Sequence, residues 1–198
     1  MTTEHQRNSD IRSSVIVISS HVVRGSVGNR AAVFALETLG HPVWAVPTVI
    51  LPWHPGHSRA TRIVPSREDF SALIDDLCGA PWLAEVGGVL SGYLGEAGQA
   101  DDVARLVGAV RKANPEALYM CDPVIGDTGG LYVPEAVATA IARELIPIAD
   151  IATPNVHELA WLSGAPITDS ASMTAAAETL GPARVLVTSA LAMMAGST

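Results

Sequence analysis

Small polar and acidic side chains recur in this 198-residue chain at points where an apolar run has just ended. SHVVRGSVGN offers Ser20 ahead of Gly25 and Gly28, LSGYLG offers Tyr93, and CDPVIGD offers Asp122 and Asp127. TPNVHEL supplies Thr153, Asn155 and Glu158, and LVTS ends on Thr188 and Ser189. Carboxylates beside a short turn suit a magnesium ion next to phosphates, because that ion takes one or two carboxylates and fills its shell with water. The turn itself gives Asp122 and Asp127 a structural role as well. Ser20 can offer a hydroxyl to a ligand while the glycines let the backbone approach; the same glycines serve an ordinary strand-to-helix turn. The run is not GxGxxG, so the dinucleotide fingerprint is not met. Asn155 and Glu158, three residues apart, share one face of an opening helix. An Asn N-cap with Glu completing a capping box accounts for the pair equally well, and a helix N-terminus also attracts anions.

Other candidates carry less. His54 and His57 have H-x-x-H spacing, but the Pro-Gly between them breaks any helix and no third metal ligand is evident. Trp53 and Tyr93 are able to stack on an aromatic ligand, although aromatic side chains more often fill cores. Cys121 has no base beside it in sequence and reads as a structural thiol.

The elements that must position these residues alternate. Apolar runs rich in Val, Ile and Leu predict strands over Ser14–Ser19, Val43–Ile50, Val86–Leu90, Ala117–Cys121, Ile151–Thr153 and Arg184–Thr188. Several are continuously apolar, as strands covered on both faces are. Between them lie helical periods: Phe70, Leu73, Ile74 and Leu77 share one face, and Val103, Leu106, Val107 and Val110 another. Ser66 with Asp69 starts the first of these helices and Gly79 ends it, while Gly40 closes a helix opening near Gly28. Strand–helix alternation implies an α/β domain with a doubly wound, mostly parallel sheet. In such sheets ligands bind at the carboxyl ends of the strands, where Ser20, Tyr93, Asp122, Thr153 with Asn155, and Thr188 with Ser189 fall. Pro52–Pro65 is polar and bounded by prolines, a loop or small β-excursion that reads as a flap.

Composition narrows the function. A net charge of -8 argues against an electrostatic nucleic-acid binder. No apolar run approaches the roughly 18 residues of a membrane span. The polar start MTTEHQRNSDIRS has no signal-peptide core, and two cysteines make no disulfide framework. The expected setting is the cytoplasm. Hydrophobic residues make up 48% of the chain, enough for a substantial core.

Taken in order, SHVVRGSVGN, LSGYLG, CDPVIGD, YVPE, TPNVHEL and LVTS resemble the pyridoxal kinase family of the ribokinase-like superfamily, from about Val15 onward. The resemblance implies an ATP-dependent kinase that phosphorylates the 5'-hydroxymethyl of pyridoxal, with magnesium and a monovalent cation, acting as a homodimer. It implies that the first strand stops at Ser20 so that this serine meets the pyridine ring, that Tyr93 lines the vitamer pocket, and that the flap histidine is His54. It implies that Asp122, Asp127, Thr153, Asn155 and Glu158 surround the ATP phosphates and metal, with Asp122, Asp127 and Glu158 as metal ligands. Thr188 and Ser189 then lie toward the nucleotide. Two departures stand out. Many members carry Gln-aromatic-Ser-Asn-His-Thr where this chain has Ile50-Leu51-Pro52-Trp53-His54-Pro55, so a threonine hydroxyl is replaced by proline. Members also continue to a Gly-x-Gly-Asp motif bearing the catalytic base, whereas this sequence stops at MMAGST. The catalytic residue is therefore unassigned. The expected organisation is a flexible segment over 1–13 and a ribokinase-like domain over 14–198 without its C-terminal third. The alternatives are a catalytically inactive vitamer-binding fragment and a hydroxymethylpyrimidine kinase.

Overall fold

The computed structural model describes residues 12–190. The elements run β1 (Ser14–Arg24), α1 (Asn29–Thr38), β2 (Val43–Trp53), α2 (Arg67–Cys78), β3 (Val86–Ser91), α3 (Gln99–Ala113) and β4 (Leu118–Cys121). They continue with β5 (Gly126–Asp127), β6 (Gly130–Leu131), α4 (Glu135–Ala140), β7 (Ile151–Ala152), α5 (Val156–Ser163), α6 (Ser170–Glu178) and β8 (Arg184–Val185). The main sheet has the order β2-β1-β3-β4-β7-β8 with every neighbouring pair parallel, while β5 and β6 form a separate antiparallel hairpin. This is the doubly wound, mostly parallel α/β sheet that the alternation predicts. The expected flexible segment 1–13 lies, but for Arg12 and Ser13, outside the described residues, as does the closing LAMMAGST.

Strand register sets the core. Ile16, Val89 and Tyr119 stand side by side, as do Ile18, Ser91, Cys121 and Ala152. Onto this face pack Phe70 and Ile74 of α2, Val103, Leu106, Val107 and Val110 of α3, and Val137 of α4, all in one buried cluster. Burying each large side chain of this kind contributes roughly 1.5–3 kcal/mol. The helix ends behave as their residues dictate: Ser66 Oγ accepts the Asp69 N–H at 3.0 Å, and Gly40 takes φ of +86° just past α1. Leu73 departs from expectation. It is exposed, because it lies on the side of α2 turned away from α3, whereas Ser71 and Asp75 meet Arg105 of α3.

The larger correction concerns β1, which does not stop at Ser20. It runs through Ser20 and His21 to Arg24, and β2 accompanies it to Trp53. Between Ser19 and His21 the pairing jumps from Pro47 to Ile50, so β2 carries one extra residue there, a β-bulge. Beyond the bulge Val22, Val49 and Leu51 form a second small cluster with Val64 and Tyr93. The two strands thus project past the sheet as an arm with its own apolar packing, and Ile63 returns to bridge Ile50. The segment Pro52–Pro65 is a β-excursion with a loop at its tip. The short strands err the other way: β7 and β8 end at Ala152 and Val185, before the predicted Thr153 and Thr188.

Candidate active site

Past the carboxyl ends of β3, β4 and β7 the chain leaves the sheet and carries polar groups, beside the continuing β1. Ser19 closes the β1–β3 junction: its Oγ accepts the Tyr93 N–H at 3.2 Å, and the Gly92 N–H donates to Ile18 O at 2.9 Å. Ser20, next along, is buried against Gly28, where a Cβ would fall 2.4 Å from Ser20 Oγ. Gly28 has φ of +56° and pairs with His21, so the glycine expected from sequence is required both by conformation and by space.

Tyr93 is clamped from behind. Thr48, at the β2 bulge, donates its hydroxyl to Tyr93 O at 2.6 Å. Buried Gln99 donates Nε2–H to Thr48 O at 3.0 Å and accepts the Gly95 N–H on Oε1 at 2.8 Å. The flap meets Tyr93 from the front through Arg62, whose Nη2 donates to Tyr93 Oη at 3.0 Å. His54, the expected flap residue, is exposed and accepts the Gly56 N–H on Nδ1 at 3.1 Å, a turn contact.

The acidic side is built from β4, the β5–β6 hairpin and the start of α5. Thr153 Oγ1 donates to Asp122 Oδ1 at 3.1 Å. Burial pushes the Asp122 carboxyl above its ordinary value, with the Thr153 hydrogen bond opposing. Asp127 is exposed and accepts the Gly129 N–H at 2.9 Å, so it does start a turn. Asn155 caps α5, its Oδ1 accepting the His157 and Glu158 N–H groups at 2.8 and 2.9 Å. Glu158 completes the capping box with Oε2 on the Asn155 N–H at 2.8 Å. Its other oxygen accepts the Ile125 N–H at 3.0 Å and the Gly126 N–H at 3.4 Å, and Asn155 Nδ2 donates to Gly126 O at 2.9 Å. Glu158 is buried, and burial raises its carboxyl against the pull of those three N–H groups, with Asp122 adding to the rise. Among the described residues no group of three or more His, Cys, Asp or Glu side chains is placed to hold a metal. The expected ligand set Asp122, Asp127 and Glu158 is therefore not preassembled: both Glu158 oxygens face backbone donors and Asp127 turns back on its own loop.

Thr188 follows β8, its N–H donating to Pro154 O at 2.9 Å, and it bridges to Asn155. Ser189 has φ of +47°, a conformation costly to a residue with a Cβ. Cys121 is buried with its thiol pushed up to about 12 by that burial, in keeping with a structural thiol.

Tyr132 is a site residue that sequence reasoning left unassigned. The β5–β6 hairpin returns the chain so that the Tyr132 N–H donates to Ile125 O at 3.1 Å. Burial raises its phenol well above the ordinary value, followed by the charges of Glu158, Asp122 and Asp127 and by Tyr93. Tyr132, half exposed, is thus carried by the hairpin on the acidic side. The signal available was Asp127-Thr128-Gly129-Gly130, a two-residue hairpin turn. Two surface grooves are present, of about 580 Å³ beside Gly98, Glu135 and Arg143 and of about 480 Å³ on the arm beside Val23, Trp53 and Ile63.

Residues 85–194 match the family described as phosphomethylpyrimidine kinase. The chain belongs to that family. Among its curated relatives are pyridoxal kinases PdxY of Rubrobacter xylanophilus, 41% identical over 89% of this chain and 62% of the relative, and of Corynebacterium diphtheriae, 38% identical over 89% and 64%. The chain thus spans somewhat under two thirds of the length of these relatives. Pyridoxal kinase from Leishmania donovani in complex with ADP and pyridoxine is similar in structure, with a TM-score of 0.82 and 36% identity over 88% of this chain and 61% of that one. Pyridoxal kinase from Entamoeba histolytica has a TM-score of 0.84 and 28% identity over 91% and 65%.

Proposed function

We propose that this chain carries the vitamer pocket and the phosphate-binding face of a pyridoxal kinase, which moves the γ-phosphoryl group of ATP onto the 5'-hydroxymethyl of pyridoxal. The observation that carries this reading is the set of polar side chains along one edge of the parallel strands: Ser20 within β1 against Gly28, the clamped Tyr93 after β3, Asp122–Thr153 after β4 and β7, and the Glu158–Asn155 capping box opening α5. An aromatic ligand fits the Tyr93 end, with Ser20 as hydrogen-bond partner and His54 in the flap above. Nucleotide phosphates fit the other end, at Asp122, Asp127, Thr153, Asn155, Glu158, Thr188 and Ser189. The relatives with bound ADP and pyridoxine support both halves.

Phosphoryl transfer depends on holding the two reactants in line and on stabilising charge. Thr153 fixes one oxygen of Asp122 and leaves the other for a ligand. The Asp122 oxygen left free by Thr153 and the exposed Asp127 carboxylate are the hard oxygen donors that would hold magnesium brought by the nucleotide. Magnesium there would neutralise charge on the transferred group. Glu158 acts through its hold on Ile125 and Gly126 rather than as a direct ligand. A monovalent cation on the same face, a second copy of the chain as partner and a cytoplasmic setting complete the proposal. The 198 residues contain no Gly-x-Gly-Asp run, and no residue of the cleft is assigned the proton-accepting role.

The family description favours one competing reading, a kinase of hydroxymethylpyrimidine. Incubation with magnesium–ATP and either pyridoxal or 4-amino-5-hydroxymethyl-2-methylpyrimidine separates the two. Binding by calorimetry and phosphorylated product by chromatography are the readouts. Preference for pyridoxal in either supports the proposal; preference for the pyrimidine replaces it with the competing reading, and binding of neither removes both.

A further inference from the structure

Arg62 places a cation where the strand-end row otherwise presents acids and hydroxyls. It lies in the segment between β2 and α2, yet its Nη2 donates to Tyr93 Oη at 3.0 Å and to Gly95 O at 3.4 Å. Its guanidinium carbon stands 5.9 Å from the centroid of the Tyr93 ring. Contacts across 31 and 33 residues of sequence mark a tertiary placement rather than a local turn. Arg67, Arg105, Arg111 and Arg143 have carboxylate partners, whereas Arg62, like Arg24, Arg30 and Arg59 among the described residues, has none. A guanidinium carries five N–H donors, and the two contacts made here engage only one of its nitrogens.

We propose that Arg62 is a specificity residue that recognises the ionised ring hydroxyl of a 3-hydroxypyridine ligand, with Tyr93 holding the guanidinium in place. The inference rests on the vitamer reading above and deepens it. In a 3-hydroxypyridine the protonated ring nitrogen withdraws charge and makes the hydroxyl far more acidic than a simple phenol. Near neutral pH the ligand is therefore an aromatic ring with an anionic oxygen. Guanidinium binds an anionic oxygen more strongly than a neutral acceptor, and it also stacks on aromatic faces. A hydroxymethylpyrimidine has no such oxygen. Arg62 thus distinguishes the two ligand classes between which the competing functional readings divide, by charge rather than by size.

The test uses the 198-residue chain with pyridoxine, which has no aldehyde to condense with amines, and 3-deoxypyridoxine, which lacks only the ring hydroxyl. Calorimetric affinities are measured for the wild type, Arg62→Gln and Arg62→Lys, with circular dichroism confirming that the exposed substitution leaves the fold intact. The expected result is that the wild type prefers pyridoxine, and that Arg62→Gln lowers pyridoxine affinity about tenfold or more, as loss of a hydrogen bond to a charged group does. Affinity for 3-deoxypyridoxine should not change, and Arg62→Lys should recover part of the loss. An equal loss for both ligands would reduce Arg62 to a flap contact and overturn the inference while leaving the vitamer reading intact. No change for either ligand would overturn it in the same way. A wild type that binds neither ligand would remove the vitamer reading and this inference with it.

Discussion

Glu158 poses a sharp question, because its side chain is both a buried charge and an acceptor for three backbone N–H groups. Burial raises its carboxyl despite those donors, so desolvation of the charge outweighs their attraction. A change that removes the charge but keeps the shape should then be mild, while one that removes the acceptor should not. Glu158→Gln retains one oxygen, which turns toward Ile125 and Gly126, and loses the bond to the Asn155 N–H. That lost bond, worth about 1 kcal/mol, is offset by relief of the buried charge, so the net cost at neutral pH should be within about 1 kcal/mol. Glu158→Ala leaves the N–H groups of Ile125 and Asn155 without their partner and should cost about 2–6 kcal/mol, at roughly 1–3 kcal/mol for each abandoned donor. At this chain length each kcal/mol moves Tm by roughly 2–4 °C. The pH dependence adds a second handle. A raised folded-state carboxyl contributes stability that is fully present below the unfolded pKa and is lost as pH rises through the folded value. The wild type should therefore lose stability relative to Glu158→Gln across that window. Thermal unfolding of the three proteins at several pH values is the assay. Gln and Ala variants of equal stability would refute the reasoning, as would a wild-type advantage that grows as pH rises.

Gly28→Ala should cost at least about 2 kcal/mol in urea unfolding, from a left-handed backbone and a Cβ driven to 2.4 Å from Ser20 O and Oγ. An unchanged midpoint would show that the turn relaxes freely. Gln99→Ala strips buried partners from Gly95 N–H and Thr48 O and should cost about 2 kcal/mol or more while weakening pyridoxine binding through Tyr93. Full affinity in a destabilised variant would separate the clamp from the pocket. Burial tends to raise Asp150, but the Tyr119 N–H and Arg111 outweigh it and hold the carboxyl below its usual value. Asp150→Asn should cost about 1 kcal/mol or less at neutral pH, since both partners are partly exposed. The gap to wild type should close as pH falls through the lowered Asp150 value; a gap independent of pH would discount the charge.

Fold and site were legible to different depths. Continuous apolar runs such as VIVI and the Ser66 and Gly40 helix ends report local preferences, and these were met. The lengths of β1 and β2 were hidden because polar Ser20 and His21 look like a strand end, while the apolar cluster that prolongs the strands joins Val22 to Val49 and Leu51 across the arm. The Asn155–Glu158 capping box was readable as a spacing, since helix caps are local. That Glu158 also reaches Ile125 and Gly126, more than thirty residues earlier, was not, because no local pattern encodes it. Tyr132 and Arg62 escaped for the same reason: a hairpin and an arm deliver them, and neither announces its destination.

The clamp on Tyr93 divides the cleft into a part that holds still and a part that can yield. Thr48 and Gln99 join the Tyr93 loop to β2, so that wall moves only if the sheet does. The flap over residues 54–62 is exposed along almost its whole length and is pinned at its base by the Ile50–Ile63 pair. Arg62 stands beside that pinned base rather than at the loop's tip, and it reaches Tyr93 from there. Under the vitamer reading, the flap would govern residence time and the wall would govern fit. Among related variants of one site, affinity differences fall mostly on the dissociation rate. Substitutions in the flap should therefore change how long a ligand stays far more than which pose it adopts.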